Sequence, residues 1–378
     1  MDALVLTPST RSVTLTFVPT PKPGPGEVLI KVHAIALNPI DSLYVLDPVA
    51  ETDRVIGTDF AGTVAELGEG VRNRKVGDRV AGFVQGACST NDRPGCFAEY
   101  VVSPWDLLWA VPASMQPREA ATVSMCGLTA AQGAFYRLGV PLPPDFPTPA
   151  IKSASPAPLS VKNATVLVYG GSTSLGMFAL QLLRRALPHA QIIAVASAKH
   201  AQFLSASPYT ADTVVDYRND AWPDDVRALA PQGVDYALDC ISEGATVERV
   251  HSTLAEQARL AVFRSPSGGG FPADLRVSPI YGAVWEGLGH DVGYNGGVLP
   301  ADPAARAFAV AFDAYLSLHP LEPNPTRLLD GGLARVTAEG FALLGGPMVT
   351  QRSQPMVDGV TLKHLSGEKA VYEIVIEP

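Results

Sequence analysis

The spacing of apolar positions changes character twice along the chain. From residue 1 to about 110, short stretches alternate apolar with polar residues, as in Val28-Leu29-Ile30-Lys31-Val32, and turns such as PKPGPGE break them up. That period of two predicts half-buried strands of a mainly β unit. The polar insert Gln85 to Gly95 reads as a surface loop. Between Pro117 and Leu138 apolar residues recur every three to four positions, which predicts helix. The following stretch, 141–159, is crowded with prolines that can continue neither a helix nor a central strand, so it reads as an extended connection. Beyond it, strands at Val166–Tyr169, Ile192–Ala196, Thr213–Asp216, Val234–Cys240 and Arg259–Phe263 alternate with helical patterns. This is the signature of an α/β unit with a doubly wound parallel sheet. A helix over Ala301–Leu318, capped by Asp302 with Pro303 in its first turn, and a final strand at Tyr372–Ile376 follow. The β unit is therefore expected to be discontinuous, 1–140 with 310–378, and the α/β unit to span 160–309.

The organising stretch is TVLVYGGSTSLG, from Thr165 to Gly176. A strand, a glycine turn and a helix in that order set backbone N–H groups and a helix N-terminus against a phosphate. The spelling G-x-G-x-x-G is absent, so the turn alone is a weak signal. The next strand strengthens it. Where a carboxylate would hold the ribose hydroxyl of NAD, Ser197, Ala198, Lys199 and His200 stand instead, which suits the 2′-phosphate of NADPH. Tyr217 and Arg218, at the end of the third strand, add an adenine platform and a further positive charge.

Composition narrows the class. The 378 residues are 47% hydrophobic and 17% charged, as in a globular chain of about two domains. A net charge of −9 argues against nucleic acid and against an anionic membrane surface. No apolar run is long enough to span a bilayer and the first residues lack a signal peptide's features, so a cytoplasmic address is expected. Cys88, Cys96, Cys126 and Cys240 form no C-x-x-C pair. Even with His33 or His200 they fit no usual zinc spacing, and the expectation is reduced thiols and no metal.

Over nearly its whole length the chain resembles the medium-chain dehydrogenase/reductase superfamily. The likeness is carried by PGPGEVLIKVHAIALNPID, GTDFAGTVAELG, VGDRVAGF, the GGSTSLG turn and HLSGEKAVYEI. It implies a Rossmann-type NADPH-binding domain and a GroES-like catalytic domain. Zinc-dependent members carry Gly-His-Glu where this chain has Gly57-Thr58-Asp59, and a cysteine-rich lobe that is missing here. Within the zinc-free branch the chain is similar to trans-acting enoyl reductases of fungal polyketide synthesis, through LVYGGSTSLG, VVDYR, YALDCIS, LGVPLP and LSGEK. That likeness implies a monomer that reduces a carrier-bound polyketide, on a polyketide synthase or a synthase fused to a nonribosomal peptide synthetase. Residue by residue it implies cofactor contacts at Ile40, Asp41, Ser42 and Leu43, at Ser172, Thr173, Ser174 and Leu175, at Ser197 to His200, at Tyr217, and at Leu365 and Ser366. It implies substrate contacts at Thr129 and at Gly282, Ala283, Val284, Trp285 and Glu286.

One departure stands out. Several members have a lysine in the loop after N-P-x-D, and here the position is Leu43, with Tyr44 beside it. Hydride addition to an enoyl thioester leaves charge on its oxygen and requires a proton at the α-carbon. Ser42, Tyr44 and Thr129 are the candidate donors, with water as another. Asp41 and Asn38-Pro39 read as shaping their turn, and His33 as a structural histidine. Two rivals stay open, a free-standing quinone or enone reductase and a non-redox accessory that retains the fold.

Overall fold

The period-two stretches fold as strands in a computed structural model that describes residues 1–151, 156–159, 163–294, 297–346, 348, 354–357 and 359–374. The chain divides into two units, Met1–Met125 with Trp285–Pro378, and Cys126–Val284. The first begins with β1 (Asp2–Thr7), β2 (Ser12–Phe17), β3 (Glu27–Ala36), α1 (Pro39–Leu46) and β4 (Arg54–Val55). Then come β5 (Asp59–Leu67), β6 (Arg79–Phe83), β7 (Tyr100–Pro104), β8 (Leu108–Ala110), α2 (Pro117–Ala120) and α3 (Ser124–Ala131). The single helix expected over Pro117–Leu138 is thus broken, and its last turns, Gln132–Arg137, widen into a π-helix.

The second unit is the doubly wound sheet. Its strands are β9 (Thr165–Tyr169), β10 (Gln191–Ala196), β11 (Thr213–Asp216), β12 (Val234–Asp239), β13 (Leu254–Val262) and β14 (Pro279–Tyr281). All pair parallel, in the order β11-β10-β9-β12-β13-β14. That order reverses direction at β9, the topological switch point where α/β sheets bind ligands. The helices are α4 (Ser174–Ala186), α5 (Ala201–Ser205), α6 (Trp222–Leu229), α7 (Ala245–His251) and α8 (Pro266–Gly269). Leu167, Ile193, Val195 and Leu260 from the strands meet Trp222, Val226, Val247 and Val250 from the helices in one core. Burying side chains of this kind contributes roughly 1.5–3 kcal/mol each.

The first unit resumes with β15 (Val292–Tyr294), β16 (Gly297–Leu299), α9 (Pro303–Leu318), β17 (Thr326–Leu329) and α10 (Phe341–Leu344). It ends with β18 (Met356–Val357), β19 (Val360–Thr361) and β20 (Lys369–Glu373). As expected, Asp302 caps α9, its carboxylate accepting from the Ala304 and Ala305 N–H groups. The main sheet runs β17-β20-β3-β5-β6-β8, with β7 also on β3, so a C-terminal strand pairs antiparallel with an N-terminal one. The register sets Val371, Tyr372 and Glu373 opposite Ala36, Ile35 and Ala34. The last positions of the expected strand, Val375 and Ile376, lie outside the described residues.

Two boundaries differ from the sequence reading. The inserted unit begins at Cys126 rather than 160, because Arg259 donates to the Leu138 carbonyl (2.6 Å) and draws the π-helical segment to β13. It ends at Val284 rather than 309, because Trp285 packs on Phe83 (6.1 Å between ring centroids) and Arg306 pairs with Asp106 (2.7 Å) in the other unit. The stretch Gln85–Gly95 is not a plain surface loop either. Gln85, Ala87, Cys88 and Ser89 are buried, with the Gln85 amide donating to the Cys88 carbonyl.

Candidate functional site

In the α/β unit, β9 delivers the chain to Gly170, whose φ of +77° is open to glycine and strained for other residues. The N–H groups of Gly170 and Gly171 both donate to the Val195 carbonyl (2.9 and 3.1 Å), tying the turn to β10. A Cβ on Gly176 would lie 2.3 Å from the Gly170 carbonyl oxygen, so only glycine lets α4 approach this closely. The Thr173 hydroxyl accepts from the Gly176 N–H (3.0 Å) and donates to the Gly170 carbonyl (2.8 Å). It is the N-cap of the helix. Its proton is thereby donated within the turn. Ser172, Ser174 and Leu175 are half-buried around the positive end of a helix of 13 residues.

At the end of β10, Ser197 opens a short 3-10 turn over Ala198–His200. Its hydroxyl is bonded by the Arg218 guanidinium, which also lies 5.3 Å over the Tyr217 ring. Asp216 accepts from the Arg218 N–H (3.0 Å) and fixes that turn. Tyr217 is 44% exposed, and Lys199, just past the end of the neighbouring strand β10, is exposed as well. Burial lowers the His200 pKa, and the charges of Lys199 and Arg218 lower it further. The carboxyl end of β10 is therefore a positive field without an acid of its own.

A third piece of this edge escaped the sequence reading. At the end of β12 the buried Asp239 carboxylate accepts from the N–H groups of Ile241 (3.0 Å) and Ser242 (2.8 Å) and from the Thr246 hydroxyl (2.8 Å). Burial raises its pKa to about 6 against those hydrogen bonds. Ser242 is held at φ +55°, and its hydroxyl accepts from the Phe263 N–H (2.8 Å). A strained non-glycine residue at the carboxyl edge of a parallel sheet is where a binding loop is shaped. The available signal was an Asp followed by a serine three residues on, a turn-forming pair.

The other unit holds a buried polar network at the start of α1. Asp41 accepts from the Asn38 N–H (2.7 Å) and from the Thr58 hydroxyl (2.9 Å). The Asn38 amide donates to Thr58 (3.0 Å) and to Asp59 (2.9 Å). Asp59 accepts in addition from the Met125 N–H (2.9 Å) and the Lys369 ammonium (2.7 Å), and Lys369 also reaches the Thr122 carbonyl (3.3 Å). Burial raises the Asp41 pKa to about 7, with the Asp59 charge adding to the effect and its hydrogen bonds and Lys369 opposing it. Asp41 thus shapes its turn. His33, inside β3, has its ring bonded to the Thr63 hydroxyl of β5 (2.9 Å).

The candidate donors are unlike one another. The Ser42 hydroxyl is buried and donates to the Pro39 carbonyl (3.1 Å), while Tyr44 is 5% exposed. Ile40 and Leu43, three apart and so on one helix face, are half-buried instead. Thr129 is half-buried with Met125 and Cys126 on α3, on a helix whose remaining positions are buried. Leu365 packs beside the core of its unit, and Arg327 pins its loop, donating to the Lys363 and His364 carbonyls and pairing with Glu368. Ser366 lies half-buried in the same loop.

Of the predicted substrate segment, Gly282 lies against Arg137, where a Cβ would fall 1.9 Å from Nε. The Ala283 and Val284 carbonyls accept from Arg137 (3.3 Å) and Gln132 (3.5 Å). The π-helical turn thereby fixes this stretch, a use such bulges commonly have. Trp285 and Glu286 belong to the other unit, where Trp285 is core against Phe83.

Residues 24–113 match the alcohol dehydrogenase GroES-like domain and residues 174–280 the zinc-binding dehydrogenase domain. The trans-enoyl reductase FSL5 of Gibberella zeae is 30% identical, with 94% of this chain and 92% of that protein aligned. The trans-enoyl reductase RAP2 of Pyricularia oryzae is 31% identical over 94% of this chain and 93% of its own length. Among solved structures, the CurK enoyl reductase superposes with a TM-score of 0.67 at 17% identity, covering 98% of each chain. A mycobacterial protein complexed with NADPH superposes with a TM-score of 0.67 at 24% identity, covering 99% of this chain and 100% of that one.

Proposed function

The chain belongs to the trans-enoyl reductases of the medium-chain dehydrogenase/reductase superfamily, and on that premise we propose that it acts with NADPH, without zinc, on a polyketide. Its substrate is the α,β-unsaturated acyl thioester held on the carrier of a polyketide synthase whose own reductase domain is inactive. It works as a monomer in the cytosol. The observation that carries the cofactor choice is the positive, acid-free end of β10, where Arg218 stands over Tyr217 and Lys199 adds a second cation. Such a field favours a 2′-phosphate over a bare ribose hydroxyl.

The same residues fit a dinucleotide at the switch point. The α4 N-terminus with Ser172, Thr173, Ser174 and Leu175 would hold the pyrophosphate, and Ser197 to His200 with Tyr217 and Arg218 the adenosine end. Ile40 to Leu43, Leu365 and Ser366 would bound the nicotinamide. When bound, that cofactor supplies the hydride for the substrate's β-carbon. The chain's task is orientation and a dry, apolar face, which Ile40 and Leu43 provide. Ser42, Tyr44 and Thr129 remain the candidate proton donors, with water as another; the Ser42 hydroxyl donates to the Pro39 carbonyl and Tyr44 is buried. Gly282 to Glu286 would line the acyl chain's path.

Zinc does not suit the donor set. Thr58 and Asn38 are neutral oxygen and amide groups, Asp59 is taken by Lys369, and burial raises the Cys88 and Cys96 thiols well above their ordinary range. The test is NADPH consumption by the purified chain. Turnover of an enoyl-pantetheine thioester but not of a simple quinone is the expected result. Turnover of the quinone alone would make it a small-molecule reductase, and NADPH binding without turnover of either would make it a non-redox accessory.

A further inference from the structure

The Asp59–Lys369 ion pair is the most deeply buried charge pair among the described residues, with side chains 0% and 3% exposed and 2.7 Å apart. A pair taken this far from water gains little stability over apolar residues of the same volume, because desolvation offsets the attraction. What it does supply is direction. Besides each other, the two groups accept or donate along fixed lines to two stretches of chain far apart in sequence, at Asn38 and at Thr122–Met125. Through Asn38 the pair holds the first turn of α1, and Asn38 and Thr58 pass the constraint to Asp41. Through the Met125 N–H it holds the start of α3, one turn before Thr129. Lys369 itself opens β20, directly after the loop of Leu365 and Ser366. Three segments given roles in binding and proton delivery are thus anchored at one point.

We propose that Asp59 and Lys369 are positioning residues, an ionic anchor that sets α1, the start of α3 and the Leu365–Ser366 loop in register for reduction. This rests on the placement of α1 at the cofactor. Removing one member strands a buried charge, so Lys369→Met is expected to unfold readily and is uninformative about register. The double variant Asp59→Asn/Lys369→Met has no stranded charge and is expected to keep the denaturation midpoint close to the parent. Its kcat/KM on an enoyl-pantetheine thioester with NADPH should nevertheless fall about 100-fold, the loss typical of reacting groups displaced by an ångström. Lys369→Arg, which keeps the charge, should recover most of that.

Recovery of kcat/KM along with stability in the double variant would overturn the anchor, because the pair would then be only a structural tie. So would failure of the double variant to fold. Leu43→Glu separates this from the underlying reading, since it puts a carboxylate on the half-buried face of α1. A raised KM for NADPH in Leu43→Glu beside full recovery in the double variant defeats the anchor alone. An unchanged KM there removes α1 from the cofactor and the anchor with it.

Discussion

The GGSTSLG turn of the α/β unit and the Asn38–Asp41–Thr58–Asp59–Lys369 network of the β unit are both polar, and both sit where a sheet hands over to a helix. They differ in what they leave over. The turn spends its glycine N–H groups and the Thr173 hydroxyl on its own geometry, and keeps a half-buried helix end facing outward. In the network the buried Asp41 and Asp59 carboxylates accept from chain donors at both of their oxygens. On the proposed reading the first takes a ligand, while the second holds its own segments together. Polar residues near a site are therefore not equivalent, and their existing bonds decide which kind they are.

The largest effect should come from closing the turn against itself. In Gly176→Val the new Cβ would meet the Gly170 carbonyl oxygen at 2.3 Å, and backbone rather than a side chain would have to yield. A cost of about 1–3 kcal/mol is expected in urea denaturation. NADPH affinity should fall at least as far, because the helix end moves off the turn. If NADPH titration were unaffected, the helix end would not be the phosphate site and the contrast would lose its first half. Next in size is Arg218→Ala. A hydrogen bond to a charged group contributes about 1.5–3 kcal/mol, so NADPH should bind roughly 10- to 100-fold more weakly while NADH is unchanged. Equal losses for both cofactors would mean that Arg218 serves the turn through Ser197 and not the phosphate.

The contrast also explains what could be read from the residues alone. The turn is contiguous, so strand, glycines and helix announce it within twelve letters, and the five alternating strands that follow fix the sheet. Asp302 and Pro303 announced α9 in the same local way. The network is assembled from residues 38 to 369, and nothing in the spelling of GTD or GEK says that Asp59 and Lys369 meet. Arg218 was visible as a charge, yet its bond to Ser197 needed the parallel pairing of β10 and β11 to bring it across. The same holds for Arg327, whose grip on the Leu365 loop depends on β17 lying beside β20. Where the chain divides into units is decided by packing rather than by local spelling. Arg259 and Trp285 each pull a segment away from its sequence neighbours.

The smallest effect separates the two regions by acid. Asp41 in the network and Asp239 beside the turn are both fully buried, and burial lifts them to about 7 and about 6. An unfolded aspartate has a pKa near 3.9. Between that value and the folded one, the native state holds a proton that the unfolded chain has released, so stability falls as pH rises through this window. The contribution is complete below about pH 4. It is lost by about pH 6 for Asp239 and by about pH 7 for Asp41. Stability measured by denaturation from pH 4 to pH 8 should therefore decline with rising pH, by roughly 1.4 kcal/mol for each unit of upward shift. Asp239→Asn should flatten the lower part of that decline and leave the stretch from pH 6 to 7 in place, while Asp41→Asn should flatten it up to pH 7. A midpoint that rises with pH over this range would mean that both carboxylates are charged in the native state. The hydrogen bonds around them would then outweigh burial, and the network would be an ionic structure throughout rather than one ion pair set among neutral partners.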